Sequence, residues 1–139
     1  LPVKRGDGPS PEDGPATLDA NLDTFVRNIE SIGLLASARG AKVLLTTMPH
    51  LPSKMPEQEG VVPSWGDSMS MVHGKLEALA DARSWAFFDL HRAWLAQGPD
   101  AEQWFEDPIH VHPEHGDLLK AELLASFLIE KKLTSVSGR

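Results

Sequence analysis

Residues 105–116, with the sequence FEDPIHVHPEHG, hold the side chains in this chain that are best suited to chemistry. The segment contains three of the six histidines and places Asp107 three residues before His110. A carboxylate beside a histidine can fix the tautomer of the ring and stabilise the imidazolium that forms when the ring accepts a proton. Pro108 disfavours a helix here, so a turn can bring the two side chains together. The spacing indicates an acid–base pair; a turn-capping Asp107 beside a surface histidine is the alternative.

The same segment has the ligand spacing H-x-H-x-E-H, formed by His110, His112, Glu114 and His115. Neutral imidazoles and carboxylates are suitable zinc ligands, and the spacing is close to the H-x-H-x-D-H of metallo-β-lactamase-like hydrolases. That family is larger than this chain and has aspartate where Glu114 stands. A helix starting at Pro113 would also splay the histidines. A zinc site at His110, His112 and His115 is therefore an alternative, and the acid–base interpretation requires neither metal nor cofactor.

Two helix–strand units precede this segment and must position it. The first helix is predicted between Thr17, as its N-cap, and Gly40. Its apolar residues recur at steps of three and four: Leu18, Leu22, Phe25, Val26, Ile29, Ile32 and Ala36. Residues 42–48, KVLLTTM, form a continuous apolar run that predicts a strand buried on both faces. Residues 49–65 contain four prolines and are predicted to form a loop.

The second unit repeats this order. A helix is predicted over residues 68–83, with Val72, Leu76, Leu79 and Ala80 on its inner face, and residues 85–90, WAFFDL, predict a second buried strand. A short helix or turn over residues 91–96 follows. The final helix is predicted to begin at Pro113, because proline is favoured at a first helical position.

The composition excludes several classes of protein. A length of 139 residues suits one domain, and 41% hydrophobic with 24% charged residues is typical of a globular chain. The net charge of −7 and the pI near 5.3 argue against a surface built to bind nucleic-acid phosphates. The absence of cysteine excludes disulfides, a thiol nucleophile and cysteine-ligated zinc. No apolar run approaches the roughly 20 residues of a membrane span, and the compartment stays open.

The order helix–strand–loop–helix–strand–loop–helix is typical of an α/β fold with a parallel sheet, in which ligands bind where the strands end. His50 and His91 follow the two strands, so they either border such a cleft or are solvated loop residues. Two strands are few, because the edges of so small a sheet must be covered. We therefore expect either further strands or a chain that forms part of a larger sheet. The start at Leu1 rather than at methionine suggests a processed or partial product.

Three blocks together resemble the SGNH (GDSL-like) hydrolases. FEDPIHVHPEHGDLLKAELLASFL resembles the last conserved block of that family, in which a D-x-x-H turn is followed by glycine and a helix. LDANLDTFVRNIESIGLLASARGAKVLLTTMP and LEALADARSWAFFDL are similar to the helix–strand units before that block. The resemblance covers residues 17–130 in the order of the family.

The resemblance implies a three-layer α/β/α, flavodoxin-like parallel sheet, to which this chain supplies the last strands and helices. Residues 1–16 would be an extended tail, residues 17–133 the C-terminal portion of the domain, and residues 134–139 a second tail. The family's GDS nucleophile block and G-x-N-D block would precede this chain. A complementary N-terminal portion of the same domain is therefore the implied partner.

By the same resemblance, His110 would be the general base and Asp107 its orienting carboxylate in a serine ester hydrolase. The expected reaction is hydrolysis or transfer of an O-acyl group, on a small-molecule, carbohydrate or lipid ester. This chain alone is expected to be inactive, because the serine and the oxyanion hole lie outside it. A non-catalytic α/β interaction module is the alternative from a different class.

Residues 66–70, GDSMS, match the G-D-S-x-S/T form of the family's nucleophile block. The family's serine lies where the first buried strand meets a helix, whereas these residues follow a proline-rich loop between the two predicted strands. Asp67 or Ser68 as the N-cap of the second helix explains the match equally well. We therefore do not assign Ser68 as the nucleophile.

Overall fold

A computed structural model of the protein describes residues 15–51 and 65–134, with side chains described from residue 20 and, after the gap, from residue 66. The described elements are α1 (Pro15–Ser37), β1 (Leu44–Thr46), α2 (Trp65–Arg83), β2 (Ala86–Phe88), α3 (Leu90–Leu95), a 3₁₀ helix (Pro99–Trp104) and α4 (Gly116–Glu130). In these two ranges, no helix is both long enough and apolar enough to cross a membrane. The tails were predicted at residues 1–16 and 134–139 and the loop at residues 49–65. Of these, residues 1–14, 52–64 and 135–139 lie outside the described residues.

The helix α1 begins at Pro15, so the prediction of Thr17 as its N-cap is wrong. Its C-terminal end matches the prediction more closely. The backbone turns through Gly40, which has a φ of 78°, and the Ala41 N–H donates to the Ala36 carbonyl at 3.1 Å. A residue with positive φ at this position is the usual way to end a helix, and glycine adopts it without strain.

The strands β1 and β2 pair in parallel, with Leu44 opposite Ala86 and Thr46 opposite Phe88. The predicted parallel α/β pairing is therefore confirmed. The prediction of long strands buried on both faces is wrong, because both strands have three residues and none of those residues is fully buried. In the described part of the chain each strand has only one neighbouring strand. Without further neighbours there, the outer edge of each strand stays unpaired and its side chains are only partly covered.

The helix α2 connects the two strands and packs against both of them and against α1. Two ion pairs join the outer surfaces of the helices: Lys75 Nζ lies 2.7 Å from Asp23, and Arg83 Nε donates to Glu30 at 2.6 Å. Trp85, directly before β2, lies against Gly33 of α1. A Cβ atom at Gly33 would overlap the indole ring, so only glycine permits this approach.

A hydrophobic core lies on the carboxyl side of the strands. It comprises Leu51, Trp94, Ala101 and Phe105, packed against Trp104, Val111, Leu119 and Leu123. Three elements meet there. They are α3, which was predicted as a short helix or turn, the 3₁₀ helix, which was not predicted, and α4. The indole Nε1 of Trp94 donates to the Ala101 carbonyl at 3.1 Å, which satisfies the polar atom of a side chain that is otherwise fully buried.

The helix α4 begins at Gly116, so the prediction of Pro113 as its first residue is wrong. Residues 113–115 form a turn instead, which the Gly116 N–H closes by donating to the His112 carbonyl at 2.7 Å. Phe127 of α4 stacks on Phe88 of β2, with ring centroids 4.4 Å apart. This contact connects the last helix to the sheet. Residues 105–115, before that helix, contain no helical residue.

Candidate active site

Asp107 and His110 lie in a tight turn between two short antiparallel segments. Phe105 pairs with Val111 across the base of the turn, and the Glu106 N–H donates to the His110 carbonyl at 2.9 Å. The backbone therefore reverses direction between Phe105 and Val111. The predicted non-helical turn forms, and it brings the carboxylate and the imidazole together.

The Asp107 carboxylate accepts hydrogen bonds on both oxygens. Oδ1 accepts the backbone N–H of Ile109 at 2.9 Å and that of His110 at 2.7 Å, while Oδ2 lies 2.6 Å from His110 Nδ1. The N–H of Ile109, followed by the side chain and the N–H of His110, lowers the pKa of Asp107 to about 2. Asp107 is therefore ionised at any pH near neutral.

This ionised carboxylate determines which nitrogen of His110 can act as a base. An ionised carboxylate can only accept a hydrogen bond, so Nδ1 must carry the proton that it donates to Asp107. In the neutral ring Nε2 is then unprotonated and has a free lone pair. The His110 side chain is 68% exposed and that of Asp107 48%, so Nε2 is accessible from outside the described chain.

The turn is attached to the rest of the molecule at three points. Phe105, at its base, belongs to the buried core. The Leu51 N–H, at the end of the segment after β1, donates to the Pro108 carbonyl at 2.8 Å. On the other side, Val111 packs so closely on Gly116 that a Cβ atom there would overlap Val111 Cβ and lie 2.8 Å from Cγ2. These contacts fix the turn although the side chains of Asp107 and His110 are exposed.

His112 and His115 do not join His110. Their rings stack on one another, with centroids 5.9 Å apart, and the ring of His115 also lies 6.3 Å from that of Trp104. Within residues 15–51 and 65–134, no group of three or more His, Asp or Glu side chains is positioned to hold a metal ion. The arrangement does not support the zinc alternative.

The GDSMS segment lies inside the first turns of α2, because that helix begins at Trp65 rather than near Ser68. Asp67 and Ser68 are thus helical residues, and the prediction that one of them is the N-cap is wrong. Asp67 is the acidic residue of the first turn, where a negative charge interacts favourably with the helix dipole. Among the described residues, no serine or threonine hydroxyl hydrogen-bonds to His110.

A second group of histidines, which we call the histidine cluster, consists of His50, His73 and His91. The rings of His50 and His91 stack at 4.0 Å with an angle of 9° between their planes, and the ring of His73 lies 5.3 Å and 5.5 Å from them. His50 is 2% exposed, so it is not a solvated loop residue. The sequence predicted that His50 and His91 follow the two strands at the same side of the sheet, but it did not predict that His73 joins them. The i, i+3, i+7 spacing of His73 with Leu76 and Ala80 was the available signal.

No model of a protein family matches this chain, and no curated protein matches it. The functional interpretation of the turn therefore depends on its geometry and on the sequence resemblance described above.

Proposed function

We propose that this chain carries the acid–base portion of a serine ester hydrolase of the SGNH type, with His110 as general base and Asp107 as its orienting carboxylate. The 2.6 Å contact between Asp107 Oδ2 and His110 Nδ1 is the observation that carries the proposal. An ionised aspartate in this position both selects the reactive tautomer and stabilises the imidazolium. The order of the helices and strands, the parallel pair and the turn agree with the resemblance.

In the proposed reaction, His110 Nε2 accepts the proton of a serine hydroxyl as the serine oxygen attacks the ester carbonyl. Collapse of the tetrahedral intermediate breaks the bond to the alcohol, which leaves with the proton from Nε2. Water or an acceptor alcohol then attacks the acyl-serine. His110 Nε2 accepts the proton of this attacking hydroxyl and gives it to the departing serine oxygen. During both steps Asp107 remains ionised and interacts with the positive ring.

The serine and the oxyanion donors would come from a preceding portion of the same domain, which would also complete a three-layer, flavodoxin-like sheet. Apolar side chains on the exposed face of α1 support this proposal. Phe25, Ile32 and Leu35 lie at helical spacing on one face, and Ile32 and Leu35 are 64% and 65% exposed. In the described residues β1 pairs only with β2, which leaves its other edge for a further strand. The substrate would be a small-molecule, carbohydrate or lipid ester.

His110→Ala in the complete protein, with the portion that precedes Leu1, tests the assignment. We expect hydrolysis of a chromogenic acyl ester to fall by at least about a hundredfold, because general-base catalysis contributes rate factors of that order. His112→Ala is the matched control, since its exposed ring lies outside the turn, and it should retain activity. Circular dichroism would verify that both variants fold.

Full ester hydrolysis by His110→Ala would contradict the proposal. Absence of activity in the unsubstituted complete protein would favour the alternative, a non-catalytic α/β interaction module.

A further inference from the structure

The histidine cluster joins three separate elements at the carboxyl side of the sheet. His50 lies in the segment after β1, His73 on α2 and His91 on α3. The ring contacts described above hold these elements together. Among the described residues, the Nε2 atom of His73 is buried without a hydrogen-bond partner. A cluster of this kind is stable while its rings are neutral, because protonation of two rings in contact creates mutual repulsion.

One hydrogen bond connects the cluster to the backbone that holds the Asp107–His110 turn. The His50 N–H donates to Nδ1 of His91 across 3.4 Å. The next residue, Leu51, donates its own N–H to the Pro108 carbonyl. Protonation of His91 at Nδ1 would remove the acceptor and break the first bond, one residue away from the contact that attaches the turn.

The charged and titratable groups around the cluster oppose its protonation. Burial, followed by the charges of His50 and His73, lowers the pKa of His91 to about 4. Burial and His50 also lower the pKa of His73. Asp89, which caps α3, is the acidic group that acts in the opposite direction on both rings. Its Oδ1 already accepts the Thr47 hydroxyl and the Arg92 N–H, so this carboxylate is committed to the backbone at the start of α3.

We infer that the histidine cluster is a pH-sensitive clamp. While its rings are neutral, the cluster holds Leu51 against the Asp107–His110 turn, and when the rings are protonated it releases Leu51. The clamp depends on His50, His73, His91 and Leu51, and it would exist even if the turn catalyses no reaction.

The direction of the pH effect follows from proton binding. The unfolded chain binds a proton at His91 near pH 6.5, whereas the folded chain binds it near pH 4. Between these values the unfolded state binds more protons, so the free energy of unfolding falls as the pH falls. The clamp is therefore closed above about pH 6.5 and opens progressively as the pH falls toward 4.

Two measurements by NMR on the 139-residue chain test the clamp. Ring signals of the six histidines would be titrated from pH 7.5 to 4.5, and amide hydrogen exchange would be followed at Leu51. We expect the rings of His73 and His91 to titrate below pH 6.5. The protection factor of the Leu51 amide, corrected for intrinsic exchange, should fall at least about tenfold over this range. Titration of His73 and His91 at the ordinary value, or constant protection of Leu51, would overturn the inference.

His73→Phe separates the clamp from general acid sensitivity. It keeps an aromatic ring in the cluster, removes one titrating group, and should retain Leu51 protection to lower pH than the unsubstituted chain. His112→Phe removes an exposed histidine outside the cluster, and His110→Gln removes the imidazole of the turn. Both controls should respond to acid as the unsubstituted chain does. Equal responses of His73→Phe and His112→Phe to acid would overturn the clamp. If His73→Phe does not fold, the histidine titration and Leu51 protection of the unsubstituted chain decide the question.

Discussion

Asp107 uses its two carboxylate oxygens for different purposes. Oδ1 accepts two backbone N–H groups and so shapes the turn, while Oδ2 orients the ring of His110. The same residue therefore builds the backbone that positions its partner and holds that partner's tautomer. This double role explains how two exposed side chains keep a defined geometry without burial.

Asp107→Asn should reverse the tautomer of His110. The amide can present its NH₂ group to Nδ1, which then acts as the acceptor, and the neutral ring would carry its proton on Nε2. Ring ¹⁵N chemical shifts in the 139-residue chain measure this directly and require no catalytic activity. Glu106→Gln removes the neighbouring carboxylate, which has no contact with the ring, and should leave the Nδ1–H tautomer unchanged. An unchanged tautomer in Asp107→Asn would contradict the assigned role of Oδ2.

At the scale of elements, the start of α4 is determined by packing rather than by its sequence pattern. Proline at position 113 suggested a helix start, but α4 begins at Gly116, where the helix passes directly over Val111. Val111 lies opposite Phe105 at the base of the turn. Glycine at position 116 is thus what allows the last helix and the Asp107–His110 turn to pack together.

Gly116→Ala should lower the free energy of unfolding by about 1–3 kcal/mol, because the new methyl group overlaps Val111 and forces the turn or the helix to move. Gly74→Ala is the matched control on α2, where a Cβ atom would meet nothing within 4 Å. That substitution should stabilise the chain by about 0.5–1 kcal/mol, since alanine is the better helix former. Urea denaturation of both variants gives the comparison. A neutral Gly116→Ala would show that the contact with Val111 relaxes without cost.

At the scale of the whole molecule, the chain exposes apolar surface where a domain of this class would bury it. Ile32 and Leu35 on α1 are mostly exposed, whereas Leu22 and Gly33 of the same helix are packed. A helix whose apolar surface extends beyond its packed face normally has a further element over that surface. The exposed face is consistent with the proposed preceding portion of the domain.

Ile32→Lys should distinguish the complete protein from this chain. In the 139-residue chain the substitution should change the free energy of unfolding by no more than about 0.5 kcal/mol, because position 32 is exposed. In the complete protein it should lower the free energy of unfolding by about 1–3 kcal/mol, because the lysine would be buried against the proposed preceding portion of the domain. Ile129→Lys, at an exposed position of α4, should be neutral in both proteins. Equal effects of Ile32→Lys in the two proteins would contradict burial of this face of α1 by the preceding portion.

Features that depend on near neighbours were predictable from the sequence. The Asp107–His110 turn consists of four residues, one of them a proline, so its geometry followed from local hydrogen bonding. The order of helices and strands followed from apolar periodicity, and Gly40 indicated correctly where the first helix region ends. The boundaries at Thr17 and Pro113 were wrong because local signals compete with packing that lies beyond the local window.

Contacts between residues distant in the sequence were not predictable and are known only from the fold. It placed His73 beside His50 and His91, packed Gly116 against Val111, and folded the 3₁₀ helix at Pro99–Trp104 over the core. Such contacts join residues from separate elements, and their geometry depends on how whole helices and strands pack, which no local pattern specifies. The contact between Asp107 and His110 was therefore predictable from the sequence. The histidine cluster, which we propose to control the attachment of their turn, was not.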